Sequence, residues 1–209
     1  MRFIPTLAAL AAASAMLAPA TAHQQIWAAA MLGSSETPSV STTGQGQATV
    51  TIDFDLMTMR VQFSFADLIG TATAAHIHCC TATPGTGNIG VATITPSFPG
   101  FFFTGGTGPR SGSYDQVFDM ALASSYNAAF ITAKDTTPGD ASDNVTLAFN
   151  ALVAGLDSGK AYLNLHTSSF PGGEIRALLA PVPEPGTWAL MAGGLALLGW
   201  GAPRRRRRG

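Results

Sequence analysis

Hydrophobic and polar positions alternate with a period of two in two neighbouring stretches of the chain. In Thr49–Phe54, Val50, Ile52 and Phe54 share one face and Thr49, Thr51 and Asp53 the other. In Met59–Phe65, Met59, Val61, Phe63 and Phe65 point one way and Arg60, Gln62 and Ser64 the other. Such alternation marks half-buried strands, and the short link 55–58 predicts a hairpin between them. Further strands are predicted at Ala74–His78, Gly90–Thr95, Tyr114–Ala121, Ala161–Thr167 and Glu174–Leu179, with Gly/Pro clusters at 84–90 and 96–112 between them. Two segments carry helical spacing instead. Ser124-Ser125 is placed to cap a short helix through Tyr126–Ala133. Asp143-Asn144 is placed to cap a longer one, with Val145, Ala148, Phe149, Leu152, Val153 and Leu156 on one stripe and Gly159 beyond it. The expected fold is all-β, a Greek-key sandwich or barrel-like domain with one or two short helices. No internal repeat points to a solenoid.

Both ends of the 209-residue chain break this pattern. Residues 1–22 give a cationic start at Arg2, an apolar run Leu7–Ala18 and the small-residue pattern Ala20-Thr21-Ala22, the layout of a cleavable signal peptide. That run is short of the ~20 residues a membrane span needs. At the other end, 182–209 reads Val182-Pro183-Glu184-Pro185, an uncharged apolar stretch Thr187–Ala202, then Arg204, Arg205, Arg206, Arg207 and Arg208. Sixteen residues make a short span that flanking side chains can extend by snorkelling. The arginines hold that end in the cytoplasm by the positive-inside rule. The middle, 24–181, is expected outside.

The order Pro183-Glu184-Pro185, apolar helix, basic end resembles the PEP-CTERM sorting signal of Gram-negative bacteria. That resemblance implies recognition by an exosortase, processing near the motif, a cell-surface or extracellular destination, and an association with exopolysaccharide and biofilm; signal peptidase is the partner expected at the N-terminal end.

With the ends set aside, residues 24–181 hold eleven acidic and five basic side chains, a net charge of −6. An acidic surface releases no counterions from nucleic acid, so no nucleic-acid partner is expected. The arginine run is explained by topology.

Three stretches of the middle carry a second likeness: Gly33–Val40 with Thr43-Gly44; Ala74-Ala75-His76-Ile77-His78; and Tyr162–Thr167 followed by Phe170-Pro171-Gly172-Gly173-Glu174-Ile175-Arg176. Together they resemble the CHRD domain, named after repeats in the animal protein chordin and common in bacterial exported proteins. Where many members continue the first histidine motif with Gly-Pro, this chain has Cys79-Cys80. Where many have Gly after the final Arg, it has Ala177. The resemblance implies no settled activity.

His76 and His78 project from one strand face with Cβ atoms about 6.5–7 Å apart, and His166 shares its face with Tyr162 and Asn164. If the strands pair as the family resemblance implies, His76, His78, His166 and the carboxylate of Glu174 converge, a set suited to Zn²⁺ or Cu²⁺. The alternative is hydrogen bonding across the sheet or to the Pro171–Gly173 loop, which needs no ion. Glu174 and Arg176 are expected to pair with one another or with a neighbour. Cys79 and Cys80 are the only cysteines. Outside the cytoplasm they are expected to be oxidised, as a vicinal disulfide in first place, with intermolecular bridges or soft-metal ligation as alternatives. Phe98, Phe101, Phe102 and Phe103 are expected to fold back over the sheet. No nucleophile elbow or phosphate loop is present. The expectation is an exported, non-catalytic binding or structural module for a polysaccharide or surface-protein ligand, with a Cu- or Zn-binding protein as the alternative.

Overall fold

The computed structural model describes residues 23–134 and 141–183. The expected signal peptide, the apolar tail, Glu184, Pro185 and Arg204–Arg208 lie outside the described residues, while Pro183 closes them. No helix among the described residues is long and apolar enough to cross a membrane.

One antiparallel sheet dominates. Its strands are β1 (Gln24–Leu32), β2 (Gln45–Asp53), β3 (Thr58–Ala66), β4 (Ala72–His78), β5 (Gly112–Asp119), β6 (Tyr162–Thr167), β7 (Ile175–Leu178) and β8 (Ala180–Pro181). They lie in the order β4-β6-β7-β1-β2-β3-β5, with β8 extending the sheet along β1, and curl into a half-barrel. Two short helices, α1 (Ala128–Lys134) and α2 (Ala141–Asp157), complete the all-β fold that the alternation predicted.

The β2–β3 hairpin pairs from Gln45↔Ala66 to Asp53↔Thr58 without a slip. Its turn is fixed by Asp53, whose Oδ1 accepts the backbone N–H groups of Asp55 and Leu56, so the carboxylate does the work of a local backbone bond. Val50, Ile52, Met59, Val61, Phe63 and Phe65 all face the core, as period two demands.

β1 was not foreseen. Three successive alanines leave it without alternation, and alanine has little strand preference of its own. Nine-residue pairing with β2 and the complete burial of Trp27 and Met31 make it a strand nonetheless. The segment Gly90–Thr95 is the reverse case and corrects the expectation. It forms only the bridges His78↔Val91 and Thr93↔Tyr126, because its backbone divides its bonds between β4 and the stretch before α1. It straps the outer edge of β4.

The helices also start elsewhere than their expected caps. α1 is capped by Asn127, whose Oδ1 accepts from Ala129 N–H, while Ser125 lies in a separate 3₁₀ turn and donates to Asp119 O. α2 begins at Ala141, so Asp143 and Asn144 fall inside its first turn. Its inward stripe is as read: Ala148, Phe149, Leu152 and Leu156 are buried, with Val145 and Val153 packed beside them. Gly159 ends it with φ +66°, a left-handed stop that glycine adopts without a Cβ penalty. Phe98 and Phe101 are buried against Phe63, Tyr114 and Phe118, as a folded-back loop requires; Phe102 remains exposed.

Candidate metal centre

β4, β6 and β7 each send their aliphatic residues one way: Ala75 and Ile77, Leu163 and Leu165, Ile175 and Ala177 enter the core. Period two then sends His76, His78, Tyr162, Asn164, His166 and Arg176 to the opposite face. Register places these side chains beside one another, through His78↔Tyr162, His76↔Asn164, Ala74↔His166 and Asn164↔Arg176. This outer face is covered by loops that reach it with Glu36, with Gly87–Ile89 and with Pro171–Gly173. A polar face buried under loops is costly unless its groups are matched, so each partner carries information.

The three imidazoles form one cluster. A ring nitrogen from each of His76, His78 and His166 lies within 4.8 Å of the others. Ring centroids are 4.8 Å apart for His76–His78, 4.6 Å for His76–His166 and 6.0 Å for His78–His166. His78 Nδ1 is 2.6 Å from Ile89 O, and His166 Nδ1 is 2.8 Å from Pro171 O. A carbonyl only accepts, so each Nδ1 carries the proton and each Nε2 presents a lone pair. Those two Nε2 atoms, and Nδ1 of His76, are buried without a protein partner.

Their charge state suits the same role. Burial pushes His76 down to about 3, aided by His166 and His78, and pushes His78 down to about 4 against the pull of Ile89 O. His166 is lowered too, by burial, with Arg176 adding to it. At neutral pH three uncharged imidazoles aim unpaired nitrogens at a shared volume. Zn²⁺–N bonds of 2.0–2.1 Å require tetrahedral ligand atoms to stand about 3.4 Å apart, so the three rings must draw closer to hold an ion.

Glu174 does not join them. It sits at the Gly172-Gly173 turn ahead of β7, where strand periodicity no longer sets its direction; Gly173 has φ +125°. Its carboxylate accepts from Thr42 Oγ1, Ile69 N–H, Gly70 N–H and Thr167 Oγ1. Burial raises its pKa, and these four donors outweigh burial and hold it below the usual carboxylate range. Glu174 ties loops together. Nor does it pair with Arg176.

Arg176 instead pairs with Glu36 at 2.8 Å, with both side chains almost fully enclosed. It also donates to Gly87 O and Asn88 Oδ1 and lies 3.9 Å from the Tyr162 ring centroid. Tyr162 in turn stacks on His78, 4.7 Å apart and 7° from parallel. Burial raises the pKa of Glu36, opposed by the nearby Arg176 charge. The sequence reading missed Glu36 as a functional-face residue. Its signal was its place in the Gly33–Val40 stretch, where it is the sole acid.

Cys79 and Cys80 follow His78 directly and are bonded to each other. Their sulfurs lie toward α2, near Ala151 O, away from the imidazoles.

Comparison with known families places residues 27–179 on the model of the CHRD domain and residues 181–207 on that of the PEP-CTERM protein-sorting motif. No curated protein and no solved structure matches the chain. The sorting motif makes the chain a membrane-anchored precursor, exported to the cell surface or extracellular space and processed by an exosortase.

Proposed function

The chain belongs to the CHRD family, and from that premise we propose that this exported domain is a non-catalytic binding module whose ligand is a divalent transition metal, Cu²⁺ or Zn²⁺, held by His76, His78 and His166. One observation carries the reading. Two of the three imidazoles have their Nδ1–H groups committed to carbonyls while their Nε2 lone pairs are buried beside the third ring, unpartnered. Carbonyl-fixed tautomers of this kind orient histidine ligands in metal sites. Uncharged imidazoles with no thiolate among them suit copper or zinc over calcium or magnesium.

Binding is favoured over turnover because the ligand nitrogens are enclosed by the loops. A polysaccharide or neighbouring surface protein is the second ligand class. It is supported by an open groove of about 330 Å³ on the outer face of β1, β2, β3 and β5, where Gln24, Asp53 and Arg60 stand beside the exposed apolar side chains of Ile26, Leu56 and Val117.

Elemental analysis of the processed protein after copper or zinc loading and desalting tests the metal reading. One equivalent per chain is expected, falling at least tenfold in His78→Ala and in His166→Ala while Glu174→Gln keeps its metal. Equal metal in wild type and both histidine variants would refute the site.

A further inference from the structure

Resting on the three-histidine reading, we propose that the Cys79–Cys80 disulfide is a redox latch on the metal centre: its two-electron reduction releases the strap that orients His78 and weakens metal binding.

The connection is short and continuous. His78, Cys79 and Cys80 are consecutive. The strap Ile89-Gly90-Val91 touches each step of this run: Ile89 O accepts from His78 Nδ1, Gly90 O accepts from Cys79 N–H, and Val91 bridges to His78. Tyr162, which stacks on His78, binds the same strap, its hydroxyl accepting from Ile89 N–H. The carbonyl that selects the metal-binding tautomer of His78 is thus one residue from the carbonyl that holds Cys79.

The sulfurs sit in two different environments. On the α2 side, Gly155 lies so close that a single methyl there would overlap both Sγ atoms. On the other side, Cys79 and Cys80 line an open cavity of about 210 Å³, shared with Ile89, Gly90, Val91 and Phe130. Cys79 is buried and Cys80 half-buried, so a reductant reaches the bond from the Cys80 side, and the cavity leaves room beside both residues.

Reduction requires movement. A disulfide holds its sulfurs about 2.05 Å apart, whereas two thiols need roughly 3.5 Å or more. Because Gly155 leaves no room on the α2 side, the added separation is taken up toward the cavity, whose wall the strap shares with α1. The exchange balances simply: a dithiol reductant gives up two electrons and two protons and closes to its own disulfide, while Cys79 and Cys80 become thiols. With a phosphine, one water supplies the oxygen of the phosphine oxide and the two thiol protons.

The test uses Zn²⁺, which has no redox chemistry of its own, with the processed protein and a chromophoric competitor. Affinity is measured before and after treatment with a water-soluble trialkylphosphine, and again after reoxidation. The expected result is a loss of tenfold or more on reduction, regained on reoxidation, with far-UV circular dichroism unchanged. A Cys79→Ser/Cys80→Ser variant should bind weakly whether or not phosphine is present. Equal affinity of the oxidised and reduced forms overturns the latch, as do tighter binding on reduction, an equal phosphine effect in the serine variant, or loss of the sheet signal. Failure of the oxidised protein to bind zinc at all would strike the metal reading itself and is distinct from these results.

Discussion

His78 joins the parts of the site: Ile89 O lies on one nitrogen, the Tyr162 ring against its face, and His76 and His166 beside it. Because burial keeps His76 and His78 uncharged, their effect on stability has a defined sign. Their folded pKa values, about 3 and about 4, lie below the ~6.5 of a free imidazole, so the unfolded chain binds protons first as pH falls. The metal-free domain should hold full stability above about pH 6.5. It should lose on the order of a few kcal/mol by pH 4, as read by chemical denaturation in chelator at a series of pH values. A stability flat from pH 7 to 4 would contradict the buried, neutral cluster. The charged pair behind the histidines gives a second contrast. Glu36→Gln leaves Arg176 enclosed without a counter-charge and should cost about 3–5 kcal/mol. Arg60→Ala breaks only the exposed pair with Asp115 and should leave denaturation unchanged within error. Equal effects from the two would mean that the Glu36–Arg176 face is open to water.

Among the elements, the loop between β4 and β5 is the best measure of how tertiary packing uses local sequence. Phe98 is fully buried and meets Phe63, Tyr114 and Phe118, whereas Phe102 is 54% exposed. Phe98→Ala should therefore cost about 3–5 kcal/mol and Phe102→Ala almost nothing, by thermal or denaturant unfolding. Comparable losses at both positions would displace the loop from the core. Period two revealed the β2–β3 hairpin and the inward stripe of α2 because their own side chains supply the apolar face. β1 was hidden because its apolar residues come in adjacent pairs, Ile26-Trp27 and Met31-Leu32, of which only Trp27 and Met31 are buried, and partners supply the rest of its burial. Gly90–Thr95 carried a strand's pattern, but β4's outer edge offered it scattered bonds and no ladder. The site followed the same division. His76 and His78 could be read from spacing on one strand, and His166 from the face it shares on another. Glu174 misled because the Gly172-Gly173 turn ends the periodicity one residue before β7 begins. Glu36 stayed hidden because its partner, Arg176, lies at the far end of the domain sequence, and no local pattern records such a pairing.

At the scale of the molecule, delivery and binding occupy separate parts of the chain. The CHRD domain spans 27–179 and the sorting motif 181–207, so export and exosortase processing leave the half-barrel outside the cytoplasm. That placement suits the disulfide and the histidine face alike, since an oxidising compartment keeps Cys79–Cys80 bonded and brings environmental metal to the domain. The domain's charge of −6 adds a field that draws cations to it. The central claim is that three imidazoles, and no carboxylate or sulfur among the described residues, hold the metal. X-ray absorption at the metal edge of the zinc- or copper-loaded protein tests it most directly. The account predicts three imidazole nitrogens at about 2.0–2.1 Å, with their outer-ring scattering resolved. One imidazole or none, or a first shell containing sulfur, would contradict it.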